Sequence, residues 1–169
     1  MTLGQSIVLD RFTGTGVLGL DAARELGVVG LVGRASGIDL DARRDHPVDG
    51  VVAPAVVLGA SGDVLARYQV RRDEITASLA TLRSLLEGDL GTHFGFTGGS
   101  GSGLGIVEGW RGPVVHRVDV ADGRVTRLKI VDPSFLNWPA LAVALADTIV
   151  PDFPLVNKSF NLSYAANDL

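Results

Sequence analysis

Val114-Val115-His116-Arg117-Val118-Asp119-Val120-Ala121-Asp122-Gly123-Arg124-Val125-Thr126-Arg127-Leu128-Lys129-Ile130-Val131 is the stretch that decides the fold. Two β-branched runs flank Asp122-Gly123, a pair suited to the positive φ angles of a tight hairpin turn. Within the first run, Val114, His116, Val118 and Val120 fall on one face by the period of two. Arg117 and Asp119 point the other way. A third short run, Leu104 to Val107, precedes them. Together these predict an antiparallel meander of three strands. Residues 91–105 carry many glycines and are expected to form a loop leading into it.

Working outward, helical signals surround the meander. Ile75, Leu79, Leu82 and Leu86 recur at helical spacing, with Asp73 and Glu74 read as early-turn acids and Gly88 as the stop. This spacing predicts a helix with that face in the core. Asp21 is expected to cap a short helix over 22–26, ended by Gly27. A last helix is expected to start near Pro139, carrying Leu141 and Leu145. Asp132-Pro133-Ser134 reads as a turn that ends a strand. Val51 to Leu58 reads as a further strand, at an edge or bulge because of Pro54. The tail from Pro151 shows little periodicity. The fold class is therefore α+β, a small antiparallel meander with flanking helices, in a single domain over residues 1–169.

Composition narrows the function. The chain has 169 residues, a net charge of −4 and no cysteine. Without thiolates it can form no disulfide, no cysteine-ligated Fe–S cluster and no cysteine-based zinc site. No basic stripe is present, which argues against nucleic-acid binding. The apolar fraction is 46%, high for so small a domain; apolar surface meant for a partner chain is one explanation, an Ala-, Val- and Leu-rich core the other. The early apolar run is interrupted by Asp10 and Arg11, so no signal peptide is expected. Residues 140–146 are too few to span a bilayer. A cytoplasmic location is expected.

Candidate chemistry is sparse. Gly14-Thr15-Gly16-Val17-Leu18-Gly19 fits the dinucleotide fingerprint, with Asp39 near the place of a ribose-binding acid. The strand that should feed it is interrupted by Asp10, Arg11 and Thr13. The glycines of 97–105 lack the lysine of a P-loop. His46, His93 and His116 have no metal-ligand spacing.

Four stretches, in order, resemble one family. They are Asp10-Arg11-Phe12-Thr13-Gly14-Thr15-Gly16-Val17-Leu18; Arg34-Ala35-Ser36-Gly37 with Asp41-Ala42-Arg43-Arg44; Gly62-Asp63-Val64-Leu65-Ala66-Arg67-Tyr68-Gln69-Val70-Arg71-Arg72-Asp73-Glu74; and Glu108-Gly109-Trp110-Arg111-Gly112 with His116 and Arg127 to Phe135. They are similar to the C-terminal half of the large subunits of energy-converting nickel–iron hydrogenases, of the formate hydrogenlyase type, and of the complex I 49 kDa subunit. The resemblance implies the C-terminal part of that fold and a place in an NADH:quinone oxidoreductase or hydrogenase-type complex. It implies an Fe–S small subunit as partner, a quinone-type or vestigial cavity, and peripheral association with the inner face of the membrane. It gives Arg111 a residual site role, since the matching arginine overhangs the metal centre in hydrogenases. Two departures follow. Ser163 and Ala166 stand where the family's tail cysteines bind nickel and iron, so no metal or cofactor is expected in this chain. The family's N-terminal half has no counterpart here, so quinone or NAD would belong only to a complete complex. The alternatives are a dinucleotide-binding protein using Gly14 to Gly19, and a metal-free scaffold.

Overall fold

The computed structural model describes residues 4, 6–47, 51–87 and 98–165. Seven α-helices and three strands follow in order: α1 (Ser6–Phe12), α2 (Leu20–Glu25), α3 (Gly30–Ala35), α4 (Ala42–Asp45), α5 (Val64–Glu87), β1 (Gly101–Gly109), β2 (Gly112–Ala121), β3 (Arg124–Val131), α6 (Pro133–Leu145) and α7 (Phe153–Phe160). A 3₁₀ turn over Val150–Asp152 leads into α7. The architecture is the α+β arrangement with an antiparallel sheet of order β1-β2-β3.

The meander follows the alternation of its sequence. Val118 lies between Gly103 and Leu128, and Val115 between Ile106 and Val131. Asp122 and Gly123 take φ of 49° and 74°, as a turn matching the strand twist requires. A bulge at Asp119 and Val120 adjusts the register of β3. The glycine-rich stretch 91–105 is not loop throughout. Residues 91–97 lie outside the described residues, and β1 begins at Gly101, because Gly101, Gly103 and Gly105 pair with Val120, Val118 and His116.

The core belongs to the helices. Leu18, Leu31, Val32, Val64, Val70, Leu141, Val156 and Phe160 are buried together. The sheet stands largely away from them; β1 and β3 are exposed over most of their length. At one point the two parts meet closely. Gly30 has φ of +66°, and a Cβ there would lie 2.1 Å from the Arg111 carbonyl oxygen. Only glycine lets α3 start against the turn between β1 and β2.

Several expectations are corrected. Residues 51–58 form no strand among the described residues. The segment runs to the end of α3 instead, where Gly59 and Gly62 N–H groups donate to the carbonyls of Arg34 and Ala35. Helix α5 begins at Val64 rather than near Asp73, because Asp63 accepts from the Ala66 N–H and caps it. Asp73 and Glu74 therefore lie mid-helix. The face Ile75, Leu79, Leu82, Leu86 is not core; these side chains are 44%, 61%, 55% and 81% exposed. Helix α2 is capped at Gly19, with Asp21 in its first turn. Asp132 does not end a strand in a turn. It caps α6 by accepting from Ser134 N at 2.8 Å, so that helix starts at Pro133 and contains Pro139. The tail forms α7, which buries Val156 and Phe160.

Candidate functional site

Three arginine nodes, two of them buried and one half-buried, hold the family-like stretches together. The first centres on Arg34, at the end of α3 and 1% exposed. Its Nε donates to Glu74 of α5 at 2.5 Å, and its Nη1 to Glu108 of β1 at 2.8 Å and to the Leu40 carbonyl at 3.0 Å. Glu108 also accepts from the Ala42 N–H at 3.1 Å. Asp41, 2% exposed, accepts from Arg43 Nε at 2.9 Å and Nη2 at 2.6 Å. Burial by itself would lower the Arg34 pKa; the charges and hydrogen bonds of Glu74 and Glu108 outweigh it and raise it. Burial likewise pushes Asp41 up, but Arg43 and Arg34 hold it below its ordinary value. The cluster joins α3, α4, α5 and β1 into one charge-compensated knot.

The second node is Arg67, fully buried on α5. Its Nε donates to Ser159 Oγ at 2.8 Å, Nη1 to the Gly62 carbonyl at 2.6 Å and Nη2 to the Gly16 carbonyl at 2.8 Å. The guanidinium lies over the Phe160 ring, 4.5 Å from its centroid. No carboxylate pairs with it among the described residues, and desolvation pulls its pKa down to about 9. It remains charged at neutral pH and is stabilised by carbonyl dipoles and the ring.

This node accounts for the glycine motif. The Gly14 N–H donates to Asp63 at 2.8 Å, and the Leu18 N–H to the Gly62 carbonyl at 2.9 Å. A Cβ on Gly16 would lie 2.6 Å from Val156. Helix α1 precedes the motif where a dinucleotide site needs a strand. Its glycines make a close turn against α5 and α7. Asp39 pairs with Arg44 at the surface.

The third node holds the tail. Asn161 closes α7 in the left-handed conformation, with φ of 56°. Its carbonyl accepts from Arg111 Nε at 2.5 Å. Arg71 Nη2 donates to the Ser159 carbonyl at 3.2 Å, and the Arg71 guanidinium lies over Trp110. Burial lowers the Arg71 pKa and the neighbouring Arg111 charge lowers it further, while Glu74 opposes. Both arginines thus meet the carbonyl end of α7, where the helix dipole favours cations. Ser163 is held on both sides: its N–H donates to Ser134 Oγ at 2.9 Å, and its carbonyl accepts from Trp138 Nε1 at 3.2 Å. Ala166 lies outside the described residues.

The structure brings Arg111 to the Asn161 carbonyl, two residues before Ser163. The donors there do not suit a nickel–iron centre. The chain's sole sulfur is that of Met1, and a hydroxyl and a methyl supply neither the charge nor the softness of bridging thiolates. Among the described residues no three His, Asp or Glu side chains come together as a metal site. A groove of about 300 Å³ opens beside the first node, between Ile75, Ser78 and Leu79 of α5 and Gly109 and Trp110. A second, of about 260 Å³, lies between Leu40, His46, Ile106 and Val115. No helix among the described residues is long and apolar enough to cross a membrane.

Sequence reading missed Arg34 and Arg67 as buried nodes, though both lie in the quoted motifs. A signal existed for Arg67. Val64 and Val70, three residues to either side on the same helical face, are both core. Asn137 was also missed; its side chain bonds both the N–H and the carbonyl of Val29.

Known proteins agree with this geometry. The carbon monoxide-induced hydrogenase of Rhodospirillum rubrum is 31% identical over 91% of this chain and 45% of its own length. An NADH-quinone oxidoreductase subunit of Deinococcus radiodurans is 34% identical over 82% of this chain and 43% of its own. In a solved structure of the membrane-bound sulfane sulfur reductase, an archaeal respiratory membrane complex, one chain superposes with a TM-score of 0.83 at 26% identity. The match covers 98% of this chain and 48% of that one. This chain thus spans about half the length of these relatives. The family model of the respiratory-chain NADH dehydrogenase 49 Kd subunit matches residues 1–89, which include the glycine turn, Arg34 with its partners Asp41 and Glu74, and α5, and the chain belongs to that family.

Proposed function

We propose that this chain serves as a metal-free component of an NADH:quinone oxidoreductase or hydrogenase-type redox complex. It carries no thiolate centre of its own. It supports an Fe–S small subunit and a quinone-type or vestigial cavity, and lies peripherally on the inner face of the membrane. The observation that carries this reading is the seat of the tail. Arg111, Ser134 and Trp138 hold the segment from Asn161 to Ser163 by its backbone. These contacts support reading the tail as the family's metal-binding run, kept as a packed element without its thiolates. Quinone or NAD would bind only to a complete assembly.

Mild isolation of the tagged chain from its native cell tests this. Co-purification with subunits of a respiratory complex, an Fe–S small subunit among them, is expected. Metal analysis of the isolated chain should find no stoichiometric nickel. Recovery without any such subunit, or near one nickel per chain after chelator washing, would overturn the proposal.

A further inference from the structure

The two edges of the sheet are built differently. Strand β3 carries Arg124, Arg127 and Lys129, and a bulge interrupts its register at Asp119 and Val120. Charges and bulges of this kind discourage a further strand from pairing. The outer part of β1 has neither. Gly101-Ser102-Gly103-Leu104-Gly105 holds no charge and no proline and is exposed throughout. Among the described residues it pairs on one side only, with β2. Helix α4 meets β1 at its inner end, where the Ala42 N–H donates to Glu108. The outer edge thus presents a row of backbone donors and acceptors about 17 Å long, at ~3.4 Å per residue.

The two faces beside this edge also differ. On one, Gly101 and Gly103 lie next to Val120 and Val118. The missing side chains leave an open trough of about 480 Å³ lined by those glycines and valines. On the other face, the register gathers charges that the sequence scatters. Arg117 lies opposite Lys129, Asp119 opposite Arg127 and Ala121 opposite Arg124. The four basic residues are all exposed. Asp119 is the strand carboxylate among them, and it stands 3.7 Å from Arg117, too far for a hydrogen bond. In a chain of net charge −4 this face is a local reversal of sign.

We infer that the outer edge of β1 accepts an extended acidic segment of another protein as a fourth strand. The segment's backbone completes the ladder of β1. Its side chains alternate between the two faces. Large apolar ones lie over the glycines, since a cross-strand ring covers what glycine leaves bare. Carboxylates lie on the side of Arg117 and Arg127. Two strand spacings, roughly 10 Å, separate the added strand from β2, a gap that glutamate and arginine side chains extended toward each other can span. A second copy of this chain fits poorly. Paired antiparallel about a twofold axis, it brings glycine beside glycine in the trough and one cationic face beside the other. The inference stands apart from the proposed role in a complex.

The test titrates the full chain against a short fluorescein-labelled peptide that alternates glutamate with phenylalanine, read by fluorescence anisotropy. Saturable binding is expected, weakening as salt rises, with the amides of residues 101–105 gaining protection from hydrogen exchange. Arg117→Glu combined with Arg127→Glu should weaken binding about tenfold. Leu104→Glu, at a side chain 66% exposed, should weaken it as well, with the circular dichroism spectrum unchanged. Equal binding of a peptide with lysine in place of glutamate, protection confined to other segments, or no binding would overturn the inference. So would a concentration-dependent dimer in sedimentation that Leu104→Glu abolishes, which gives the edge to a second copy. Binding to phosphatidylglycerol vesicles in place of the peptide, lost in the double arginine variant, would give the cationic face to a lipid surface and overturn it too.

Discussion

At the scale of single residues, the buried arginines decide more than any candidate catalyst. Replacing Arg34 by Met would leave Asp41, Glu74 and Glu108 together with Arg43 alone to offset them. Loss of one member of such a cluster costs about 3–5 kcal/mol, which urea denaturation at neutral pH should register. The same cluster sets a pH dependence. Asp41 titrates below its ordinary 3.8 in the folded chain. A depressed carboxylate contributes stability above its unfolded value and loses it as pH falls through the folded one. Stability should therefore decline as pH drops below 3.8, and Arg43→Gln should flatten that decline; an unchanged acid limb would remove Arg43 from the account. For Arg67, lysine is not a conservative replacement. It lacks the planar fork that reaches Ser159, Gly62 and Gly16 at once. Arg67→Lys should cost about 2–3 kcal/mol through carbonyls left unpaired.

Elements behave differently at their two ends, and α5 shows it. Val70→Ala removes buried methyl groups and should cost about 2 kcal/mol in the isolated chain. Leu79, 61% exposed, should cost less than about 0.5 kcal/mol when replaced by Ala, as surface positions do. A large Leu79 effect in the isolated chain would place that face of α5 in a core after all. The junction of α3 with the hairpin is equally testable. Gly30→Ala would drive a methyl into the Arg111 carbonyl at a positive φ. A loss of more than about 3 kcal/mol is expected, with the hairpin amides losing protection from hydrogen exchange before those of α6.

On the scale of the whole molecule, a helical core carries a sheet that stands away from it, and a long helix leaves it on one side. Both projections expose apolar side chains, Leu104 and Leu128 on the sheet and Leu79 and Leu82 on α5 among them. Restoring sulfur should not restore a metal centre. Ser163→Cys with Ala166→Cys supplies two thiolates and no more, since the sequence has no cysteine of its own. Nickel content should stay far below one per chain, and binding near one per chain would show that two thiolates suffice.

Much was legible from the order of residues alone. Alternation and Asp122-Gly123 determined the meander, because a period of two and a turn requiring positive φ are local properties. The resemblance of four separated motifs determined the family. Chemistry ruled out a thiolate centre from the lack of cysteine. Tertiary structure decided what those motifs do. Asp63 could be seen as a cap only once Ala66 lay above it, and so α5 begins well before Asp73. The row from Ile75 to Leu86 has the spacing of a core face, but spacing says only that residues share a side. Whether anything covers that side depends on which elements pack beside it, and here α3 and α7 take the flank near the helix's start. The glycine motif, too, gained its meaning from Asp63 and Arg67, some fifty residues away: Asp63 takes the Gly14 N–H that a phosphate would need, and Arg67 takes the Gly16 carbonyl.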